Sequence, residues 1–307
     1  MIAGEGETKV TSGKAGVESG AGIEAAVGEF NESRPRLFGI AYRMLGSVAE
    51  AEDIVQEAWV RWQGTDRAAV RNPAGFLTTV TTRLAINTAE SARVRREQYV
   101  GPWLPEPVDT SADQSLGAER AEALESAVLM LLEKVRPDQR AAYVLREAFD
   151  YSYEEVADIL ETSPANARQL VSRAKKAVRS DRKEPVDPAR HRRLLEAFVA
   201  AAQRGDLEGL EQVLSADVVS TTDGAGIAPR AARRPVAGRD DVARFVAGWS
   251  DWWAGTTLSW VETNGQVSLL VRRDESPAVL LSASMSDSGI DQLMWVMAPD
   301  KLTHVPA

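Results

Sequence analysis

Apolar residues recur at helical spacing through residues 25–98, at positions i, i+3, i+4, i+7 and i+8 of one helix face. This buried face comprises Leu37, Ile40, Ala41, Met44 and Leu45. Ser47, followed three positions later by Glu50, predicts a capping box at the start of a second helix. Asn72-Pro73 predicts a third helix start, with Asn as the cap and Pro in the first turn. The segment is therefore predicted to be one helical domain.

A second helical domain is predicted over residues 119–183, after a linker at residues 99–118. Ser152 with Glu155 indicates a capping box before a short helix, and a three-residue turn then leads to Ser163-Pro164 and a longer helix. A short helix, a turn and a longer helix make the plan of a DNA-binding helix-turn-helix.

The pattern changes to strands in residues 189–307, after one more helix near Arg190–Gln203. Two apolar runs flank Asn264-Gly265, which is typical of a hairpin with a tight primed turn. Two further strands are expected on either side of the turn at residues 287–289. This part is predicted to be an α+β domain, whereas residues 1–24 lack periodicity and are predicted to be a disordered tail.

The net charge of -9 argues against nucleic-acid binding when the chain is taken as a whole. Nucleic-acid binding depends on local charge, however, and residues 164–183 carry seven basic residues and one acid. Near the start of the longer helix, Gln, Asn and Arg can reach base edges, while later Lys and Arg can hold phosphates. The candidate DNA-binding residues here are Ser163, Asn166, Arg168, Gln169, Ser172, Arg173, Lys175 and Lys176.

The composition excludes several classes of site. Cysteine is absent, which rules out disulfides and thiolate ligands and fits a cytoplasmic protein. With two histidines, His191 and His304, neither a metal site nor a histidine-based triad is expected, and no cofactor is expected. No apolar run is long enough for a membrane span.

The second predicted helix carries an acidic and polar face opposite its buried stripe. Such a ridge is unsuited to DNA and suited to a protein partner. Its members are Glu52, Asp53, Gln56, Glu57 and Arg61.

The segments 51–59 and 72–77, continuing through 83–87, resemble region 2 of sigma factors, and the helix-turn-helix resembles region 4. In this order they resemble the extracytoplasmic-function sigma factors. The resemblance implies that the acidic ridge binds the β and β′ subunits of core RNA polymerase and that the third helix meets promoter DNA. The residues implied for that promoter contact are Arg83, Asn87, Ser91, Arg93, Arg95 and Arg96.

The segments Trp103–Pro107, Ala298–Leu302 and Asp223–Gly226 resemble signatures of one subgroup with a fused SnoaL-like domain, a cone-shaped α+β fold. Where that subgroup has lysine after its Asp-Gly-Gly-Gly loop, this chain has Ile227, and the second glycine is Ala225. We expect the fused domain to pack against the linker and regulate the sigma regions. The residues expected at this interdomain contact are Trp103, Leu104, Pro105, Asp223, Gly224, Asp300, Lys301 and Leu302.

An enzymatic C-terminal domain is the alternative, because SnoaL-like domains resemble small cyclases and isomerases that use a carboxylate base. Asp217, Asp223 and Asp251 are the candidate bases, and Trp249, Trp252, Trp253, Trp260 and Trp295 are candidates to line a cavity. Core tryptophans and a turn-forming Asp223 are favoured over catalysis, while a small ligand in the cone stays open. A sigma factor, a helix-turn-helix repressor and an enzyme with a DNA-binding module are thus the three classes weighed, with the sigma factor favoured.

Overall fold

The computed structural model describes residues 20–111, 124–180, 183–184 and 186–305, except for the side chains of residues 20–23 and 93. Residues 1–19 of the predicted tail and residues 112–118 of the predicted linker lie outside the described residues. The tail prediction is wrong for residues 20–24, because helix α1 begins at Gly20.

Helices α1 (Gly20–Leu45), α2 (Val48–Gln63) and α3 (Pro73–Glu97) form the first domain. The predicted apolar face of α1 is fully buried. Asn72 caps α3 as predicted, by accepting from the Gly75 amide. The capping box predicted for α2 is incomplete, since the Ser47 hydroxyl accepts from the Glu50 amide but the Glu50 carboxylate pairs with Arg95 instead.

Helices α4 (Ser126–Glu133), α5 (Pro137–Tyr143), α6 (Tyr153–Ile159) and α7 (Pro164–Ser180) form the second domain, with a π turn over Val144–Ala148. Both halves of the predicted capping box between Ser152 and Glu155 are present. Ser163 accepts from the Asn166 amide and so caps α7. The inner face of α7 is buried through Ala167, Leu170, Val171, Ala174 and Val178.

The third domain contains helices α8 (Pro188–Arg204), α9 (Leu207–Val213) and α10 (Arg239–Ala247) and one six-stranded sheet. The strands are β1 (Leu214–Asp223), β2 (Val236–Ala237), β3 (Thr256–Thr263), β4 (Gln266–Arg273), β5 (Ser276–Ser286) and β6 (Gly289–Val296). They lie in the order β2-β1-β6-β5-β4-β3, with β1 parallel to β6 and every other pair antiparallel. Two helical domains followed by a sheet domain are the predicted fold class, which is confirmed.

Successive residues of a strand point to opposite sides of the sheet, and in this domain both sides are covered by other parts of the chain. Leu269, Val271 and Leu281 pack under the helices α8 and α10. Leu270 and Leu280 face the other way and meet a separate cluster. That cluster contains Leu104 of the linker, Ala127 of α4, Met294 and Val296 of β6, and Leu302 in the 3-10 turn that follows β6. The sheet therefore supports both the linker and the second helical domain.

The two helical domains also share a core. One buried apolar cluster joins residues of the first domain, including Met44, Leu45 and Ala85, to residues of the second, including Val128, Leu145 and Val156. The buried guanidinium of Arg140 on α5 donates to the Met44 carbonyl at the end of α1. The chain is thus folded into a closed arrangement in which all three domains touch.

Candidate nucleic-acid interface and interdomain junction

Helix α7 presents a polar and basic face to solvent, opposite its buried stripe. Ser163, Asn166, Arg168, Gln169, Ser172, Arg173 and Lys176 are exposed, and Lys175 is half-buried. Two of these cations have partners on the first half of the motif or beside it: Arg168 pairs with Glu154 and Lys175 with Glu147. An open groove of about 540 Å³ runs along this face beside Tyr153 and Arg179. Its shape and charge suit a phosphate backbone.

Helix α3 carries the other predicted promoter residues, and the structure places them in different surroundings. Asn87 and Ser91 are exposed, and Arg95 is exposed but pairs with Glu50. Arg83 contacts the second domain, donating to the Ile159 carbonyl and pairing with Glu161 at 2.8 Å. The Arg93 side chain lies outside the described residues.

Arg96 departs from the sequence-based expectation. Its guanidinium carbon lies 3.7 Å from the centre of the Trp103 ring, and its side chain is only 15% exposed. It also donates to the Leu45 carbonyl and pairs with Glu133 of α4. In this closed arrangement Arg96 joins three segments of the protein and is not available to DNA.

The ridge on α2 is exposed along its length. Asp53, Gln56, Glu57 and Arg61 are exposed, and Glu52 is half-buried and pairs with Arg34 of α1 at 2.8 Å. Glu57 and Arg61 form an exposed i,i+4 pair, which contributes little to stability. The ridge is therefore free to meet another protein.

The residues predicted at the interdomain contact meet around a buried ion pair, here called the latch. Lys301 lies 2.7 Å from Asp223, with side chains 6% and 0% exposed. The Leu104 amide donates to Asp223 at 2.8 Å, and Lys301 donates to the Leu104 carbonyl at 2.6 Å. Tyr99 donates to the other Asp223 oxygen at 2.6 Å. One aspartate of β1 thus holds both ends of the segment 99–104.

The remaining predicted contact residues surround this pair. The Lys301 ammonium lies 4.5 Å from the centre of the Trp103 ring. Pro105 and Leu302 are buried, Asp300 is exposed, and Gly224 closely approaches Ala228 and Ala231. Ile227, which stands where the subgroup has lysine, is 69% exposed, so the cation that neutralises Asp223 comes from elsewhere in the chain.

Burial and hydrogen bonding set the charge states around the latch. Burial lowers the pKa of Lys301, and the neighbouring Asp223 opposes that change. Burial and the hydrogen bond to Asp223 raise the pKa of Tyr99, so its phenol stays protonated and able to donate.

Glu106 of the linker fixes the start of α2, a role that the sequence did not indicate. Its carboxylate accepts from the Ser47 hydroxyl at 2.8 Å and from the Val48 amide at 2.7 Å. Its own amide donates to the Gly46 carbonyl at 2.8 Å. The N-terminus of the acidic ridge helix is thus capped by the linker, and a carboxylate there is favoured by the helix dipole.

Another interdomain contact, which the sequence did not indicate, forms at the tip of the β3–β4 hairpin. The Asn264 side chain is buried, donates to the Tyr42 hydroxyl at 2.7 Å and the Leu124 carbonyl at 3.1 Å, and accepts from the Val108 amide at 3.0 Å. These partners belong to α1, the second helical domain and the linker. Asn264 has φ of 53° and Gly265 has φ of 71°, as a primed turn requires. We name this set the hairpin junction.

The linker also extends the sheet beside this tip. Asp109 forms an antiparallel bridge with Thr263, and the Thr110 amide donates to the Glu262 carbonyl. The Asn264 amide donates to the Val108 carbonyl at 2.9 Å. Residues 108–110 therefore lie along the end of β3, joined to it by one isolated bridge and the neighbouring backbone hydrogen bonds.

The candidate catalytic carboxylates are distributed over separate environments. Asp217 pairs with Lys183 at 2.7 Å, Asp223 is held in the latch, and Asp251 is exposed. Trp249, Trp253 and Trp295 are buried core residues, with Trp249 and Trp295 ring centres 5.1 Å apart. Trp252 and Trp260 are half-buried at the edge of that core.

Within the described ranges, no group of three or more His, Asp or Glu residues is arranged to hold a metal ion. A search of the same residues finds no helix with the length and apolar character that a membrane span needs.

Comparison with known proteins agrees with this architecture. Residues 30–97 match the family model of sigma-70 region 2, and residues 125–178 match that of sigma-70 region 4. The chain is 45% identical over 231 residues to the ECF RNA polymerase sigma factor SigJ of Mycobacterium tuberculosis, covering 72% of each chain. It is 30% identical to the probable ECF RNA polymerase sigma factor SigI of the same species, over 89% of this chain and 93% of that one.

The solved structures extend the likeness to the C-terminal domain. The crystal structure of the M. tuberculosis extracytoplasmic function sigma factor SigJ superimposes with a TM-score of 0.72 at 37% identity, covering 91% of this chain and 99% of the other. Sequence, fold and domain order thus agree, and the chain belongs to the extracytoplasmic-function group of the sigma-70 family of RNA polymerase sigma factors.

Proposed function

We propose that this protein binds core RNA polymerase and directs it to promoters, and that its C-terminal domain holds the two sigma regions in a closed state until the linker is released. The observation that carries the first part is the division of charge between two exposed surfaces. The ridge of α2 offers Asp53, Gln56 and Glu57 to a protein, whereas α7 offers Gln169 and Arg173 to DNA.

The assignment of residues follows from exposure. The α2 ridge is proposed to contact the β and β′ subunits. On α7, Asn166 and Gln169 are close enough to the N-terminus to read bases, while Arg173 and Lys176 lie further along and hold phosphates. Asn87, Ser91 and Arg95 are proposed to meet the promoter element nearer the start site.

Run-off transcription with purified core polymerase tests this activity. We expect specific transcripts with the full chain and none with core alone. An Asp53→Lys variant should lose association with core while keeping its fold, because Asp53 is exposed and has no partner among the described residues. A repressor would instead bind duplex DNA without core and would be insensitive to this change.

Regulation by the C-terminal domain is supported by the latch and the hairpin junction. In the closed state Arg83 of α3 is held by Ile159 and Glu161, and Arg96 is held by Trp103 and Glu133. Two candidate promoter residues are thus occupied by other parts of the chain. Releasing the linker would remove the Trp103 contact of Arg96, and separating the two domains that share a core would free both arginines.

Asn264→Gly tests this regulation in the full chain. Glycine keeps the positive φ of the turn and removes all three side-chain hydrogen bonds of the hairpin junction. We expect faster amide exchange in residues 104–110 and a changed yield of run-off transcript. Asp274→Gly is the matched control, because Asp274 also has positive φ in a hairpin turn, far from the linker in sequence. Equal transcript yields from both variants and the parent protein would remove the regulatory proposal.

A further inference from the structure

The loop between β1 and β2 is the most basic stretch of the C-terminal domain. Residues 224–239 contain no carboxylate and four arginines, three on the loop and Arg239 at the start of α10, in a chain of net charge -9. Arg239 donates to the Leu214 carbonyl and Arg230 to the Gly248 carbonyl. Arg233 and Arg234 are exposed and have no ion-pair partner among the described residues. Two free cations are thus left on this loop.

The structure holds this loop in a defined place. The Ala232 amide donates to the Thr222 hydroxyl at 2.7 Å, and that hydroxyl donates back to the Ala232 carbonyl at 3.1 Å. Ala228 and Ala231 pack on the core of the domain. The backbone at Arg233 and Arg234 is therefore held beside the end of β1, and their side chains are exposed.

That place adjoins the end of α3. Thr222 precedes Asp223, whose carboxylate binds Tyr99, two residues beyond the end of α3. The loop also touches the chain there directly, because a Cβ added to Gly226 would come within 2.7 Å of the Val100 side chain. The loop that carries the two arginines therefore lies against Val100, just beyond the end of α3.

The buried carboxylate at the end of β1 is already paired with a lysine and does not compete for the two arginines. Asp223 is neutralised by Lys301 and is fully buried, and the exposed carboxylates close to Tyr99 include Asp300. Exposed arginines next to a nucleic-acid surface can bind phosphates, because each contact releases condensed counterions.

We propose that Arg233 and Arg234 bind the phosphate backbone of promoter DNA beside the segment met by the end of α3, which makes the C-terminal domain part of the DNA interface. The inference rests on the proposed sigma function. It predicts that this contact contributes equally to the binding of any DNA sequence, since phosphates carry no base identity.

The test measures binding of a promoter fragment to holoenzyme, assembled with saturating core polymerase, as salt is varied. We expect the double variant Arg233→Ala with Arg234→Ala to lower the slope of log affinity against log salt by about 1.4 to 1.8, from roughly 0.7 to 0.9 per phosphate contact. The matched control is Arg204→Ala with Arg244→Ala, which removes the same charge from exposed arginines that pair with Asp206 and Asp241. Its slope should equal that of the parent protein.

Three outcomes overturn the inference: an unchanged slope for the loop variant, an equal change in the control, or photocrosslinking of an Arg234→p-benzoylphenylalanine variant to polymerase subunits without DNA. In each case the parent holoenzyme would still give promoter-specific transcripts. If the parent holoenzyme gives none, the proposed sigma function fails instead, so the two failures are distinguishable.

Discussion

Replacing Lys301 by methionine tests the latch most directly. The change keeps an unbranched side chain of similar length but removes the ammonium that donates to Asp223 and to the Leu104 carbonyl. The Asp223 carboxylate stays buried, with the Tyr99 hydroxyl, the Leu104 amide and a longer bond from the Ala225 amide as its remaining donors. A buried charge deprived of its partner is expected to destabilise the folded protein by about 3–5 kcal/mol.

That magnitude is a large fraction of the total stability of a domain, which is roughly 5–15 kcal/mol. We therefore expect the linker to detach before the domains unfold. The assay is amide exchange at Leu104, whose N–H is bonded to Asp223, together with urea unfolding of the full chain. Exchange at Leu104 should accelerate in Lys301→Met while the interior of α7 stays protected.

Two variants make the reasoning refutable. Lys183→Met removes an exposed lysine that also bridges two carboxylates, Asp217 and Asp291, and should cost less than about 1 kcal/mol. Combining Asp223→Asn with Lys301→Met removes both charges and should cost less than the sum of the single changes, because the variants share one interaction. If Lys301→Met costs no more than Lys183→Met, or if the double variant is additive, the latch does not stabilise the closed state.

Three further outcomes follow from other contacts. Arg173→Ala should lower the salt slope of promoter binding by about 0.9 on all sequences, because Arg173 is exposed on α7 and is assigned to a phosphate. Gln169→Ala should change base preference with the salt slope unaltered, and a uniform loss across sequences would contradict its assignment. Burial raises the pKa of Tyr42, so its contribution to folding is present below the ordinary tyrosine pKa of about 10 and is lost as pH rises beyond it. Tyr42→Phe should therefore remove this contribution to the pH dependence. The free energy of unfolding, measured between pH 9 and 11, should fall less steeply with pH in the variant, by up to about 1.4 kcal/mol per pH unit.

Local patterns predicted the helices well because their causes lie within a few residues. Ser152 and Glu155 satisfy each other across one turn, and Ser163 caps its own helix. Strand β1 was not predicted, since its sequence mixes buried serine and threonine with apolar residues and lacks a clear alternation. The buried hydroxyls of Ser220 and Thr222 have partners that only the folded sheet supplies, Trp295 and Ala232.

In the candidate sites too, features set by neighbouring residues were predicted and features set by distant parts of the chain were not. The exposed face of α7 follows from helical spacing alone, and its charge was visible in the sequence. Arg96 was assigned to DNA because it lies in a basic run at a helix end. That local pattern could not reveal its ion pair with Glu133, which another domain supplies. The Tyr42–Asn264 contact joins residues 222 positions apart, which no local pattern can reveal.

The pairing of residues 108–110 with β3 has a consequence for any opened form of the protein. β3 is the last strand of its sheet, and the linker covers the end of its outer edge through the Asp109 bridge and the Thr110 amide. Once the linker leaves, unpaired amides and carbonyls face outward, a surface that readily recruits strands from other chains. An opened form therefore has a longer uncovered strand edge than the closed form, and we expect it to self-associate more readily when it is produced without polymerase.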